Sequence, residues 1–304
     1  MTYKKLTPLE WFYAARPWSY PASTMPVIGT IAYLFFREGG FPYEVWLLSA
    51  LSVIAIIMLH SAGNLISDYF DYKWGLDQIG GFGQQNIVNG TYNPKHILIY
   101  GISCLIIGSI IGLIIFLSTG IEVLLIGVLG GIIILLYPLL KKYFLGDLAI
   151  YLDFGLLPVL GMSYVIGVGP DIWLLILSLV FSFITIDILH ANNTRDRDSD
   201  FDAGTRSFAY LIGPRLSIWY FNFLIIIPYL LVVLLVLLRV LPWLSLASLL
   251  SLPLAHKAIL QMRQSAQSLE KIHNLDVNCA KIQLVFNGIL SISLFAMGII
   301  NQIL

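Results

Sequence analysis

The sequence predicts an all-α, polytopic membrane protein, nine transmembrane helices around a central cavity in a single domain over residues 1–304. Three observations carry that expectation. Hydrophobic residues fill 58% of the chain and charged residues only 11%, and the mean hydropathy is +0.86. The apolar residues gather in runs of about 20, the length a helix needs to cross a hydrocarbon core. The basic residues then sort to one side of those runs, which hydropathy alone does not impose.

The runs fall at approximately 20–37, 45–66, 96–118, 121–140, 147–168, 171–191, 215–237, 240–261 and 279–301. Their flanks justify them in order. Lys4, Lys5 and Arg16 precede the first run, and Arg37 alone follows it. Lys73 and Lys95 bracket the loop after the second, and Lys141 and Lys142 end the fourth. Arg195, Arg197, Arg206 and Arg215 lie between the sixth and seventh, and Arg239 follows the seventh. Lys257, Arg263, Lys271 and Lys281 surround the turn between the last two. With a cytoplasmic N-terminus, fifteen basic residues are cytoplasmic and two are not, a bias that one miscounted run would destroy. The C-terminus is then expected on the opposite side.

The polar opening MTYKKLTPLEW, without a short h-region and cleavage site, predicts no cleavable signal peptide. Cys104 within the third run and Cys279 at the start of the ninth predict no disulfide framework. No basic stripe suits nucleic acid.

Two segments, 64–77 and 192–202, repeat one pattern at the ends of apolar runs: Asn64, Asp68 and Asp71, then Asn192, Asp196 and Asp200. On helical ends, spacings of i, i+4, i+7 and i, i+4, i+8 put each amide and its carboxylates on one face. Runs one to four and five to eight each carry their segment after the second run. That suggests two pseudo-repeated four-helix halves plus a ninth helix, with the segments facing each other across one cavity. Gly75, Gly80, Gly81, Gly83 and Gly90 make the first loop mobile or tightly turned, long enough to act as a lid.

The two segments hold Asp68, Asp71, Asp77, Asp196, Asp198, Asp200 and Asp202 against Lys73, Arg195 and Arg197, seven acids less three bases, or four uncompensated charges. Crowded carboxylates at a membrane bundle repel one another unless cations join them. Two divalent ions would balance the excess. Hard oxygen donors that leave coordination sites open describe Mg²⁺ better than zinc or copper. The alternative is that these acids cap helices and face solvent.

Such a cluster opening into an apolar bundle fits a substrate with a diphosphate head and a hydrocarbon tail. Metal and basic groups would stabilise the leaving diphosphate. Tyr69, Phe70, Tyr72, Trp74 and Tyr137 offer aromatic faces for an allylic cation, although each singly also suits the interfacial belt. Arg195, Lys141 and Lys142 suit phosphate, and the two lysines equally suit the positive-inside bias. His60 and His190 could hydrogen-bond into their clusters or serve as satisfied structural histidines. Asp153 and Asp187 are acids within apolar runs, expected to be functional or paired, one of them helping to bind or deprotonate an acceptor.

Four stretches carry a family resemblance: ARPWSYPAS at 15–23, HSAGNLISDYFDYKWGLD at 60–77, GDLAIYLDFG at 146–155 and ILHANNTRDRDSDFDAGTRSFAYLIGP at 188–214. The chain resembles the UbiA superfamily of intramembrane prenyltransferases, and within it the branch of the MenA-type 1,4-dihydroxy-2-naphthoate polyprenyltransferases and the animal menaquinone-4 synthases. NNTRD followed by DSDFDAG is the most specific match. The resemblance implies a nine-helix bundle that transfers a polyprenyl group from its diphosphate to an aromatic ring, with Mg²⁺ held by both segments. It further implies 1,4-dihydroxy-2-naphthoate as acceptor, prenylated with decarboxylation in menaquinone biosynthesis. Carried over, the catalytic and metal ligands are Asn64, Asp68, Asp71, Asn192, Asp196 and Asp200. Lys73, Asp77 and Arg195 fall nearby, and Tyr137, Lys141, Lys142, Asn193 and Arg206 complete the expected substrate contacts.

Three departures stand out. Many relatives place an acid four residues after Asp68, where this chain has Tyr72, so Asp71 must serve. The loop GGFGQQNIVNG, 80–90, has no Arg or Lys, and its backbone amides are the substitute for phosphate. Asp153 interrupts a helix expected to be uncharged. Other readings are a relative using 4-hydroxybenzoate, homogentisate or glycerol phosphate, or a terpene cyclase. More remote is a cation-coupled transporter, which wants acids near mid-membrane.

Overall fold

The chain's structure, a computed structural model, describes residues 5–75, 85–202, 204 and 206–303. Its helices are α1 (Pro8–Ala14), α2 (Pro21–Glu38), α3 (Tyr43–Trp74), α4 (Gln85–Val88), α5 (Pro94–Thr119) and α6 (Ile121–Lys142). A π-helical turn, Leu152–Leu156, joins α7 (Gly146–Tyr151) to α8 (Leu157–Ile166). Then follow α9 (Ile172–Arg195), α10 (Arg197–Asp202), α11 (Phe208–Leu237), α12 (Leu252–Arg263) and α13 (Leu275–Ile303). A 3₁₀ stretch, Trp243–Ser251, leads into α12.

Local chemistry sets the ends. Asn93, Asp171 and Ser207 accept hydrogen bonds from the first-turn amides of α5, α9 and α11. Left-handed Gly39, Gly75 and Gly167 stop α2, α3 and α8. α3 has 32 residues, about 48 Å of helix against a hydrocarbon core of about 30 Å, so one of its ends stands clear of the apolar layer.

Seven helical stretches among the described residues are long and apolar enough to cross a membrane. They coincide with seven of the nine expected runs. The first and fourth expected runs are helical as well, but α2 has only 18 residues and includes Arg37 and Glu38. The apolar part of α6 is Ile121–Tyr137, about 26 Å of helix. The expected count of nine therefore stands at seven by length and composition.

The larger core surrounds α9, where Leu177, Val180, Phe181 and Ile184 are fully buried. Small residues let the neighbours close in. A Cβ on Gly29 of α2 would lie 2.5 Å from the Phe181 ring, and one on Gly155 would lie 2.5 Å from Ser182. Asn287 of α13 donates to the Phe181 carbonyl at 3.1 Å, and Gln283 donates to the Pro21 carbonyl at 2.8 Å, tying α13 to α9 and α2. A second core packs α3 on α5 around Leu65 and Ile97, with Ala14 and Ala15 closing one end. Cys104 and Cys279 are both free and buried.

Filling the Gly155 contact is expected to overpack the α7–α9 seam. Gly155→Val should cost about 1–3 kcal/mol, read as a lower unfolding midpoint in detergent, whereas Gly127→Ala, with open space around it, should be close to neutral.

Candidate active site

α3 carries Asn64, Asp68 and Asp71 within about 60° of its circumference, as the spacing requires. Contacts from the chain before α2 fix their rotamers. The Asn64 amide nitrogen donates to the Ala15 carbonyl and to Ser19 Oγ, both at 3.2 Å, which leaves Oδ1 as the atom that can ligate. Ser19 Oγ also lies 3.1 Å from His60 Nε2, and Ser23 Oγ lies 2.7 Å from Nδ1. His60 is thus a satisfied structural histidine that braces Asn64 through a shared serine.

Asp68 is 6% exposed and forms an ion pair with Arg16. Arg16 has left-handed backbone, φ 58°, and Pro17 after it bars a right-handed helix there. Strain of this kind persists where surrounding contacts over-determine it; here the Ser19 hydroxyl holds the Arg16 carbonyl at 2.8 Å. Ser67 Oγ donates to Asp71 Oδ2 at 3.1 Å.

The second segment departs from one continuous helix. α9 ends at Arg195, Asp196 is its C-cap, and α10 begins at Arg197. Asn192 and Asp196 keep the expected face, and Asp200 reaches the site from the new helix. Arg195 chelates both oxygens of Asp196 at 2.7 and 2.8 Å. The same guanidinium donates to the His273 carbonyl at 3.1 Å and stands 3.6 Å from Asp276. It therefore anchors Asp196 to the start of α13. Asn192 Oδ1 is buried with no hydrogen-bond partner.

Lys141 joins the two segments. Its ammonium lies 3.1 Å from Asp200 Oδ2, and both it and Arg16 act electrostatically on Asp71. A bridge between Tyr143 and Arg206 backbones draws the α6–α7 turn to the approach to α11, which holds Lys141 there. The excess of four negative charges counted along the two segments is thereby corrected, because Arg16 and Lys141 arrive from elsewhere in the chain to offset part of it.

Among the described residues no three His, Cys, Asp or Glu side chains form a ready metal cage. Asn and Asp oxygens are the donor type that Mg²⁺ takes, alongside substrate phosphates. The donors at hand are hard oxygens, and the orphaned Asn192 Oδ1 is one of them.

The other expected residues divide. Asn193 is buried, its Nδ2 unpartnered. Tyr137 is half-buried and feels the charges of Asp147 and Asp200. Lys142 and Arg206 are exposed. Lys73 lies about 140° round α3 from Asp68, with its ammonium 5.9 and 5.8 Å from the Tyr69 and Phe70 rings. Tyr72, at the position where relatives carry an acid, is exposed. Asp77 and the glycines at 80, 81 and 83 lie outside the described residues. Asp153 sits in the π turn, facing Gly130 of α6.

Two features escaped reasoning from sequence pattern. Arg16 was visible only as one basic residue among many, although it lies inside ARPWSYPAS. Asp147, inside GDLAIYLDFG, belongs to a buried polar group: it lies 3.5 Å from His190 Nδ1, Tyr220 sits against it, and its charge reaches Asp187. Asp187 and His190 are fully buried, and neither the Asp187 oxygens nor the His190 nitrogens have a hydrogen-bond partner. A motif search for repeated Asn and Asp spacings does not register such a group.

An apolar helical bundle with two Asn- and Asp-bearing segments at helix ends, interleaved with Arg and Lys, defines a helical membrane protein with one polar, charge-compensated end. Residues 26–275 match the UbiA prenyltransferase family, and the chain belongs to it. The zebrafish (Danio rerio) UbiA prenyltransferase domain-containing protein 1 is 34% identical over 228 residues, 72% of this chain and 66% of that protein. Its human (Homo sapiens) counterpart is 31% identical over 71% of this chain and 65% of its own length. The match thus spans slightly under two thirds of those relatives. An apo UbiA homologue from Aeropyrum pernix superposes with TM-score 0.67 at 16% identity, over 94% of this chain and 98% of that one. A homologue from Archaeoglobus fulgidus, bound to GPP and Mg²⁺, gives 0.58 at 14% identity, over 93% and 99%.

Because Asp68 is nearly buried against Arg16, Arg16→Ala is expected to destabilise the bundle by about 1–3 kcal/mol, discounted from a fully buried pair for the partial exposure of the guanidinium. The double variant Arg16→Ala, Asp68→Asn should recover part of that loss in a thermal-unfolding double-mutant cycle. Strict additivity would show that the two groups are not coupled.

Proposed function

We propose that this chain transfers a polyprenyl group from its diphosphate to an aromatic acceptor in a Mg²⁺-dependent reaction within the membrane. The observation that carries the reading is Lys141, ion-paired with Asp200 of the second Asn/Asp segment and close enough for its charge to act on Asp71 of the first, at one end of an apolar bundle. Family membership and the GPP and Mg²⁺ bound to the Archaeoglobus homologue support it.

Mg²⁺, when bound, neutralises charge that builds on the diphosphate as the allylic carbon–oxygen bond breaks. Asn64, Asp68, Asp71, Asn192, Asp196 and Asp200 would supply its oxygen ligands, with two ions expected once Arg16 and Lys141 turn from carboxylate to phosphate. Arg16 and Lys141 exchange carboxylate for phosphate as the substrate enters, with Arg offering a fork and Lys a point charge. The bond's electron pair leaves with the diphosphate, and the allylic cation is captured by a ring carbon of the acceptor. The ring regains aromaticity by losing a proton or, at a carboxylated carbon, carbon dioxide. The motif match to the menaquinone-forming branch favours 1,4-dihydroxy-2-naphthoate as acceptor. Of the intramembrane acids, Asp187 is assigned to an acceptor hydroxyl, because its unpartnered group runs through Asp147 to Tyr137 and Asp200, whereas Asp153 faces Gly130.

The same reading takes α2 and α6 as membrane-crossing, which makes nine spans, with the N-terminus and both Asp-rich segments cytoplasmic. The extensive packing of α3 on α5 and of α9 on α11, second span on third in each half, supports a duplicated architecture.

Purified enzyme given farnesyl or geranylgeranyl diphosphate, Mg²⁺ and a panel of aromatic acceptors should yield a prenylated, decarboxylated naphthoquinol by mass spectrometry. Chelation should abolish it. Asp71→Ala and Asp196→Ala should each lower turnover at least 100-fold with the helical spectrum unchanged, and transfer retained in both would overturn the assignment. Asp187→Asn should raise the acceptor KM about 10-fold, the equivalent of one lost hydrogen bond, and leave the donor KM alone.

A further inference from the structure

A cleft of about 610 Å³ opens between the last turn of α3 and the first turn of α5, lined by Tyr69, Tyr72, Lys73, Asn93, Pro94 and Lys95. Its two lysines lie off the metal-ligand face, since Lys73 is about 140° round α3 from Asp68 and Lys95 comes from α5, while Tyr72, about 40° from Asp68, marks the edge between the two. Among the described residues neither Lys73 nor Lys95 has a carboxylate partner. The helix end itself offers little to a ligand, because Pro94 has no N–H and the Asn93 side chain already takes the Lys95 amide at 3.0 Å. Two ammonium groups and two phenols are what the cleft presents.

The cleft continues into an apolar stripe. Lys95, Ile99, Ile102 and Ile106 recur at helical spacing on one face of α5, and the three isoleucines are 60%, 42% and 54% exposed. Positive charge at the helix ends above such a stripe matches a molecule with an anionic phosphate head and hydrocarbon chains. We propose that this cleft binds an anionic phospholipid, with its phosphate between Lys73 and Lys95 and an acyl chain along the α5 stripe. Basic pockets between membrane helices bind acidic headgroups through the same pairing of point charges with a lipid-facing wall. Tyr69 and Tyr72 add phenols, the side chains that favour the headgroup layer.

The test uses the full chain in detergent, offered equal amounts of phosphatidylglycerol and phosphatidylcholine, with retained lipid read by native mass spectrometry. The wild-type protein should retain phosphatidylglycerol roughly 10-fold over phosphatidylcholine, and millimolar inorganic phosphate should not displace it. Lys73→Gln, Lys95→Gln should lose that preference, and Lys73→Arg, Lys95→Arg should keep it. Equal retention of the two lipids by the wild type overturns the proposal, as does a folded Gln variant that keeps the preference. Displacement by inorganic phosphate overturns it too, assigning the cleft to a free anion. Should the Gln variant not fold, a photoactivatable phosphatidylglycerol decides: adducts on 69–73 or 93–106 support the site, and adducts confined elsewhere overturn it. None of these outcomes depends on prenyl transfer.

Discussion

The arrangement of this protein turns on charge compensation at one end of a bundle. Carboxylates set at the ends of apolar helices are unfavourable beside one another, and the chain answers with cations brought from distant positions. Arg16 from the segment before α2 meets Asp68, and Lys141 from the end of α6 meets Asp200. Each contact spans more than fifty residues of sequence, so the acidic segments are stable only when the helices that carry their partners are in place. The site and the fold therefore depend on the same contacts.

That dependence explains the effort spent on orienting short pieces of chain. Arg16 is held in left-handed backbone by Pro17 and Ser19, and Ser19 also bonds Asn64 and His60. Arg195 fastens Asp196 to the start of α13, which is itself bonded to α9 and α2 through Asn287 and Gln283. Asp68, Asp71, Asp196 and Asp200 are each held by a named partner. On the proposed function, a cation and an anionic substrate would exchange partners with groups already in register, so little ordering would be required.

Much of the architecture was legible in the chain. Hydropathy located each of the seven helical stretches long and apolar enough to cross a membrane, and the spacing of Asn64, Asp68 and Asp71 put them on one face of α3. Prediction was weaker where the signal is not periodic. The second segment reads as one helix by spacing, yet it breaks at Asp196, because the turn there is set by contacts with Arg195 and α13. Lys73, adjacent to the acids in sequence, turns out to face α5, since five residues along a helix is well over a quarter turn from the starting face. The buried group of Asp147, Asp187, His190 and Tyr220 draws on three helices and has no linear signature.

The sequence by itself determined the all-helical membrane class, the positions of the long apolar helices and the two Asn- and Asp-bearing segments at helix ends, because hydrophobic length and helical period are local properties. Only the tertiary structure decided which cations balance those donors, where the second segment bends and which acids are buried together. Electrostatic pairing and burial depend on distance in space, and chain neighbours are a poor guide to that distance once helices pack.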